Sequence, residues 1–289
     1  MTDLIYEIDT SKYEIKITGV SDKSKKELVI PDEIDGMAVT EISKSAFENY
    51  EELTSVTIPS SVTSIDSYTF VTCKKLSAII VKENNRTYKS IDGNLYSKDG
   101  KTLIRYAIGK KDTSFKIPND VTALAHFAFA NCANLKSITM PNSITSIGAY
   151  AFSRCTGISR IVVPRGVTTI GKLAFDHFIG LESVKIPSSV TCIDHFAFAN
   201  CPSLKSVNIP RSITNIGHFA FIHCLSLKNV TIPKSVTSIG KETFKGCTSL
   251  TIHAQVKSKP DGWIPNWNPA NRPVVWGYKK WFGQGKNTK

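Results

Sequence analysis

Cysteine and histidine are the residues of this chain best able to ligate a metal or act as nucleophiles, and there are seven and six of them. Cys73, Cys132, Cys155, Cys201, Cys224 and Cys247 each follow a Phe by three residues, and Phe178 takes that place in another unit. A position that accepts Cys or Phe is a core position, so these thiols are expected as small buried hydrophobes rather than disulfide partners. The odd total, with Cys192 out of phase, points the same way. His126, His195 and His218 lie three residues before the same Phe and six before a Cys. Six residues of helix rotate through about 600°, so His and Cys would face different ways. Only His195 and His218 belong to adjacent units, and a metal site needs three or four convergent ligands. These histidines are therefore expected on the surface, with no metal and no cofactor.

The other reaction chemistries are not represented. Gly109-Lys110-Lys111 lacks the rest of a phosphate-binding loop, and there is no G-x-S-x-G, H-E-x-x-H or C-x-x-C. Residues 121–260 hold only Asp176, Glu182, Asp194 and Glu242, too few carboxylates for paired acid/base chemistry. The chain is read as a binding protein, not an enzyme.

Charge and hydropathy bound the partners. The net charge of +12 is uneven: residues 1–52 carry 13 acidic and 6 basic side chains, and the rest carry 11 and 30. A basic body favours anionic partners. Basic residues do not interleave with aromatics and no nucleic-acid module is present, so nucleic acid is not the expected partner. Apolar residues make up 41%, as in a folded protein, and no apolar run is long enough to span a bilayer. Residues 1–10 carry Asp3, Glu7 and Asp9 with no basic run, which does not read as a secretory signal.

The elements that position these residues follow from a repeat. Phe129, Phe152, Phe175, Phe198, Phe221 and Phe244 are 23 residues apart, as are Phe47 and Phe70. The gap from Phe70 to Phe129 contains one unit with an insertion of 13 and no Phe. The unit is V-T-x-I-G-x-x-A-F-x-x-C-x-x-L-x-x-V-x-I-P-x-S. Ala, Phe and Cys at offsets 0, 1 and 4 suit a turn of helix, and V-x-I alternates as a short strand does. Pro then ends the ladder. One such unit cannot bury its apolar face, but stacked units can. The expected fold class is α/β: a β-rich solenoid of 23-residue units, each a short strand plus a short helix, with caps at both ends. Residues 1–289 are expected as one solenoid domain, with an N-terminal cap at 1–30, repeats at 31–257 and a C-terminal cap at 258–289. An irregular insertion at 82–117 holds a Lys98-Asp99-Gly100-Lys101 hairpin turn, either decoration or a contact loop. The C-terminal Trp263, Trp267, Trp276 and Trp281 are read as covering the last coil, with a sugar platform as the alternative.

These motifs resemble the BspA-like, or Treponema-type, leucine-rich repeat. Leu28 to Leu53, LVIPDEIDGMAVTEISKSAFENYEEL, looks like that family's first repeat; Asn94 to Tyr106 is similar to its irregular hairpin unit; Gly262 to Lys279 looks like its closing cap. The resemblance implies a leucine-rich-repeat solenoid that binds other proteins or host surfaces, without catalytic residues, on a cell surface or secreted. The lack of a signal at residues 1–10 favours the alternative, a recognition module inside the cell for an anionic partner.

The strand face is the expected partner site. Residues between and before the inward Val and Ile should point outward, giving a mostly small, polar floor that includes Arg160 and Lys185. Lys136, Lys205 and Lys228 form a row seven residues after the Phe; Arg165, Arg211 and Lys234 form another thirteen after it. These eight residues suit an acidic protein surface or an anionic glycan. Tyr68, Phe127, Tyr150, Phe196 and Phe219, two before the Phe, should turn away from the core, either stacked between coils or exposed as an apolar patch.

Overall fold

The computed structural model describes residues 3–279 and is a β-solenoid of about 11 turns. Its regular elements are 25 short strands. Period-two segments make a parallel ladder in which Arg160–Val162, Ser183–Lys185, Ser206–Asn208, Asn229–Ile232, Thr251–Ala254 and Val274–Trp276 stack in order. The register is one coil per unit, Arg160 opposite Ser183, Ser183 opposite Ser206 and Ser206 opposite Asn229. A second ladder of two-residue strands, Thr169–Ile170, Cys192–Ile193, Asn215–Ile216 and Ser238–Ile239, runs along another side.

The expected short helix in each coil is absent among the described residues, so the architecture is all-β rather than α/β. The A-F-x-x-C segment is instead a broad turn with left-handed residues two before and two after the Phe: Phe127 and Asn131, Tyr150 and Arg154, Phe196 and Asn200, Phe219 and His223, all at φ between 53° and 64°. A left-handed residue with a Cβ costs roughly 1–2 kcal/mol. What offsets it is the next coil. Ala128, Ala130 and Cys132 donate their N–H to carbonyls three residues back, while Phe127, Phe129 and Asn131 donate to Ala149, Ala151 and Ser153 one coil on. A helix would direct every N–H along its own axis; this turn sends alternate ones across, forming a third inter-coil ladder.

The core is a set of columns. Phenyl rings of Phe129, Phe152, Phe175, Phe198, Phe221 and Phe244 stack at 5.1–5.6 Å between centroids. The column cysteines are buried and unpaired. All but Cys132 donate through sulfur to the Phe carbonyl one coil back, as Cys155 does to Phe129 at 3.2 Å and Cys247 to Phe221 at 3.1 Å.

The ends and the irregular unit depart from the repeat. Leu4–Asp9 and Glu14–Val20 form an antiparallel hairpin that joins Met37–Ile42 in parallel. Tyr88–Ile91, Asn94–Ser97 and Thr102–Arg105 form an antiparallel meander, which rejoins the stack when Thr102–Arg105 pairs in parallel with Ala123–Leu124. Here the Phe column is interrupted and the buried core falls into two clusters. Arg105 lies buried at this junction, its guanidinium donating to the carbonyls of Phe70, Phe127 and Ala130. At the other end Trp263 and Trp267 are buried over the last coil, 4.9 Å between ring centroids, with Trp276 partly exposed beside them. Trp281 lies outside the described residues. No helix among the described residues is long and apolar enough to cross a membrane.

Candidate binding surface

The strand ladder holds each outward side chain at a fixed height. Val184 and Ile186 point into the core while Lys185 between them is exposed. Lys185 stands opposite Val162 on one neighbouring coil and Asn208 on the other. Arg160 opens its strand and is exposed beside Ser183. Lys136, Lys205 and Lys228 are exposed immediately before the strands that begin at Ser137, Ser206 and Asn229. Arg165, Arg211 and Lys234 are exposed immediately after Pro164, Pro210 and Pro233. Seven of these cations therefore flank or lie on one six-stranded ladder, in two rows and a floor, while Lys136 precedes a strand of the separate two-stranded sheet formed with Ser114–Lys116.

Two details qualify this surface. The row before the strands is not uniformly basic, because Glu182 occupies it one coil before Lys205 and the two pair at 2.7 Å. The pair is exposed, and such pairs contribute little to stability, but it removes Lys205 from the free cations. The floor is also less polar than its hydroxyls suggest, since Ile80 and Val162 are exposed within it. At its C-terminal end the row after the strands opens into a cleft of about 680 Å³ that Arg211 and Lys234 help to line.

The turn side carries the aromatics. Phe127 and Tyr150 stack at 5.1 Å, Phe196 and Phe219 at 4.7 Å, and Tyr68 meets Phe127 edge-on at 5.3 Å. Leu173 separates the two groups. All five aromatics are half-buried, so they form a ladder between coils rather than a free patch. Lys44 covers the Tyr68 end and Lys241 the Phe219 end.

The histidines bridge coils. His126 Nδ1 accepts the Ala149 N–H at 2.9 Å and His218 Nδ1 accepts that of Lys241 at 2.7 Å. His195 Nδ1 lies 2.5 Å from Asp194, and its ring is 4.6 Å from that of His218. Among the described residues no three His, Cys, Asp or Glu side chains converge on a point that could hold a metal.

Comparison with known proteins places the architecture. A leucine-rich repeat protein from Eubacterium ventriosum is similar with a TM-score of 0.69 at 23% identity, over 90% of this chain and 69% of that one. The pneumococcal vaccine antigen PcpA is similar with a TM-score of 0.63 at 21% identity, over 87% of this chain and 67% of that one. At such identities the likeness shows the fold alone. No curated protein sequence matches. The profile of the BspA type leucine rich repeat region matches in six copies, over residues 21–101, 108–221 and 168–258. Those spans take in most of the sequence, and the chain belongs to the BspA-type leucine-rich repeat family.

Proposed function

We propose that this protein is a non-catalytic interaction and adhesion module that engages an acidic protein surface through its strand face, at the exterior of a cell. Leucine-rich repeat proteins are generally binding modules. The observation that carries the more specific reading is the set of exposed cations on successive coils of one ladder, Arg160, Lys185, Lys228, Arg165, Arg211 and Lys234. Of the four carboxylates in residues 121–260, only Glu182 falls at a coil position on this side. Stacked coils sit about 4.8 Å apart, so like charges on neighbouring coils repel, a cost that an acidic partner relieves. The segments before the first repeat and after the last close the exposed ends of the core, and one solenoid carries the whole surface.

The test begins with a binding screen of the full chain against extracellular matrix proteins and whole cells. For a partner so found, Arg160→Glu with Lys185→Glu should weaken binding by about tenfold or more and flatten its salt dependence. Lys98→Glu with Lys101→Glu in the hairpin should change it little. Equal losses from both pairs mean that the charge acts as a diffuse field, and the strand-face reading then fails.

A second reading, recognition of an anionic partner inside the cell, draws support from the seven unpaired thiols, which suit a reducing compartment. Protease treatment of intact cells separates the two: degradation of the protein supports the exterior, and protection supports the interior.

A further inference from the structure

The cleft at the C-terminal end of the strand face brings together Arg211, Lys234, Lys257 and Lys279, with Ser235 and Tyr278 on its walls. Three of these cations are one coil position repeated, since Arg211, Lys234 and Lys257 are 23 residues apart. The fourth arrives by a turn. Gly277 adopts φ 68° and donates to Val256, while Tyr278 donates to Ala254, so the chain folds Lys279 back to the cleft. Among the described residues none of the four forms a salt bridge. Residues 183–279 hold eleven basic side chains against Asp194, Glu242 and Asp261. Asp194 is engaged by His195, and Glu242 by Lys241 and Lys245. Uncompensated cations in a concave wall focus a positive field that favours anions.

Ser235 adds a polar group to the cleft wall. At the equivalent position Ser143, Ser189 and Ser212 donate their hydroxyls to the coil beneath, whereas that of Ser61, far from the cleft, has no partner among the described residues. The Ser235 hydroxyl is buried and has no partner among the described residues. A polar group so placed is costly unless something satisfies it. Tyr278 rests on His253, 4.5 Å between ring centroids, and is half-exposed, an aromatic surface beside the charges.

From this geometry we infer that the cleft is a binding site for an anionic oligosaccharide, its sulfate or uronate groups meeting the row of ammonium groups and a sugar ring lying against Tyr278. The volume falls within the roughly 300–1,000 Å³ of small-ligand sites, enough for a short saccharide rather than a protein domain. Single-stranded nucleic acid would call for successive aromatic platforms, and the cleft walls offer one. The inference rests on the reading of the basic strand edge as a ligand surface and names a ligand class for its C-terminal end.

The test uses the full chain and a fluorescent heparin-derived hexasaccharide, beside a desulfated hexasaccharide that keeps its uronates and an oligothymidylate of equal charge. The sulfated or the desulfated saccharide should bind more tightly than the oligothymidylate, and comparing those two arms tells sulfate from uronate. Lys234→Gln with Lys257→Gln should weaken saccharide binding by about tenfold or more, and Lys98→Gln with Lys101→Gln by less than about twofold. Tyr278→Ala should weaken the saccharide more than the oligothymidylate. Equal losses from both lysine pairs, oligothymidylate binding as tightly as the tighter of the two saccharides, or no saccharide binding would each overturn the site. Arg160→Glu with Lys185→Glu keeps the two readings apart: it should weaken binding of a protein partner by about tenfold or more while leaving saccharide binding largely intact. Loss of only the first property of the wild type leaves the cleft standing, and loss of only the second leaves the strand face standing.

Discussion

A thiol that donates to a main-chain carbonyl in a dry column has little tendency to ionise. Burial pushes the Cys73 thiol up to about 12 and raises Cys155 and Cys224 well above the ordinary range. Cys247 is raised first by its contact with the Cys224 sulfur and then by burial. Reactivity follows the thiolate, so native protein should react with a thiol reagent only at Cys192, the one half-buried cysteine, and denatured protein at all seven. Labelling of any column cysteine in the native state would contradict the packing. The same shifts carry a pH dependence. Burial also raises the Tyr96 hydroxyl to about 12. Groups raised in the fold contribute stability in full below their unfolded values, about 8.5 for Cys and 10 for Tyr, and it is lost as pH rises from there through the folded values. Thermal melts should therefore show stability falling from about pH 9 upward, and a flat profile to pH 12 would count against the buried column.

At the scale of the element, the turns are where sequence and structure part. Strands could be read from V-x-I because alternation has one meaning, one face in and one out. The A-F-x-x-C offsets have two meanings, since a helical turn and a left-handed broad turn both gather Ala, Phe and Cys on one side. What separates them is the destination of alternate N–H groups, and that lies in the next coil, outside the window of a local pattern. The aromatics two before the Phe show the consequence. They leave the core because Phe196 and Phe219 are left-handed at φ 57° and 58°, not because of helix geometry, and they recover energy by stacking. Replacing both by Ala should cost about 1–3 kcal/mol, read as a lowered melting temperature. Unchanged stability would mean that the ladder is a free surface awaiting a partner.

For the whole molecule, the period made the basic rows legible, because a fixed coil length converts sequence offset into position. It did not reveal that the exit row ends in a cleft, because that depends on what the last turn places alongside. Arg105 was equally hidden, as a cation in a segment that reads as a hairpin strand. It spans the only interruption in the Phe column from Phe47 to Phe244, donating to carbonyls from Phe70 on one side and Phe127 and Ala130 on the other. Arg105→Leu strips several buried carbonyls of their donor at once and should destabilise by roughly 2–4 kcal/mol. Because each core cluster keeps its own packing, the variant should melt in two transitions where the parent melts in one. A single transition at an unchanged temperature would show that the junction does not depend on the guanidinium.

The turn ladder has a mechanical corollary. Along residues 160–254 strands, two-residue strands and turns are each bonded to the next coil, so each coil there is fastened on several sides to its neighbours, while between Ser137–Thr139 and Arg160–Val162 the turn bonds alone continue the ladders. A pull applied to the two ends therefore loads the coils in series and peels them from an end, one after another. Each 23-residue coil releases roughly 8 nm of chain at 3.3–3.6 Å per residue. Optical-trap traces should show a train of nearly equal steps, with one irregular step at the meander. A tether built this way yields by increments and dissipates work at each one, instead of parting in a single event.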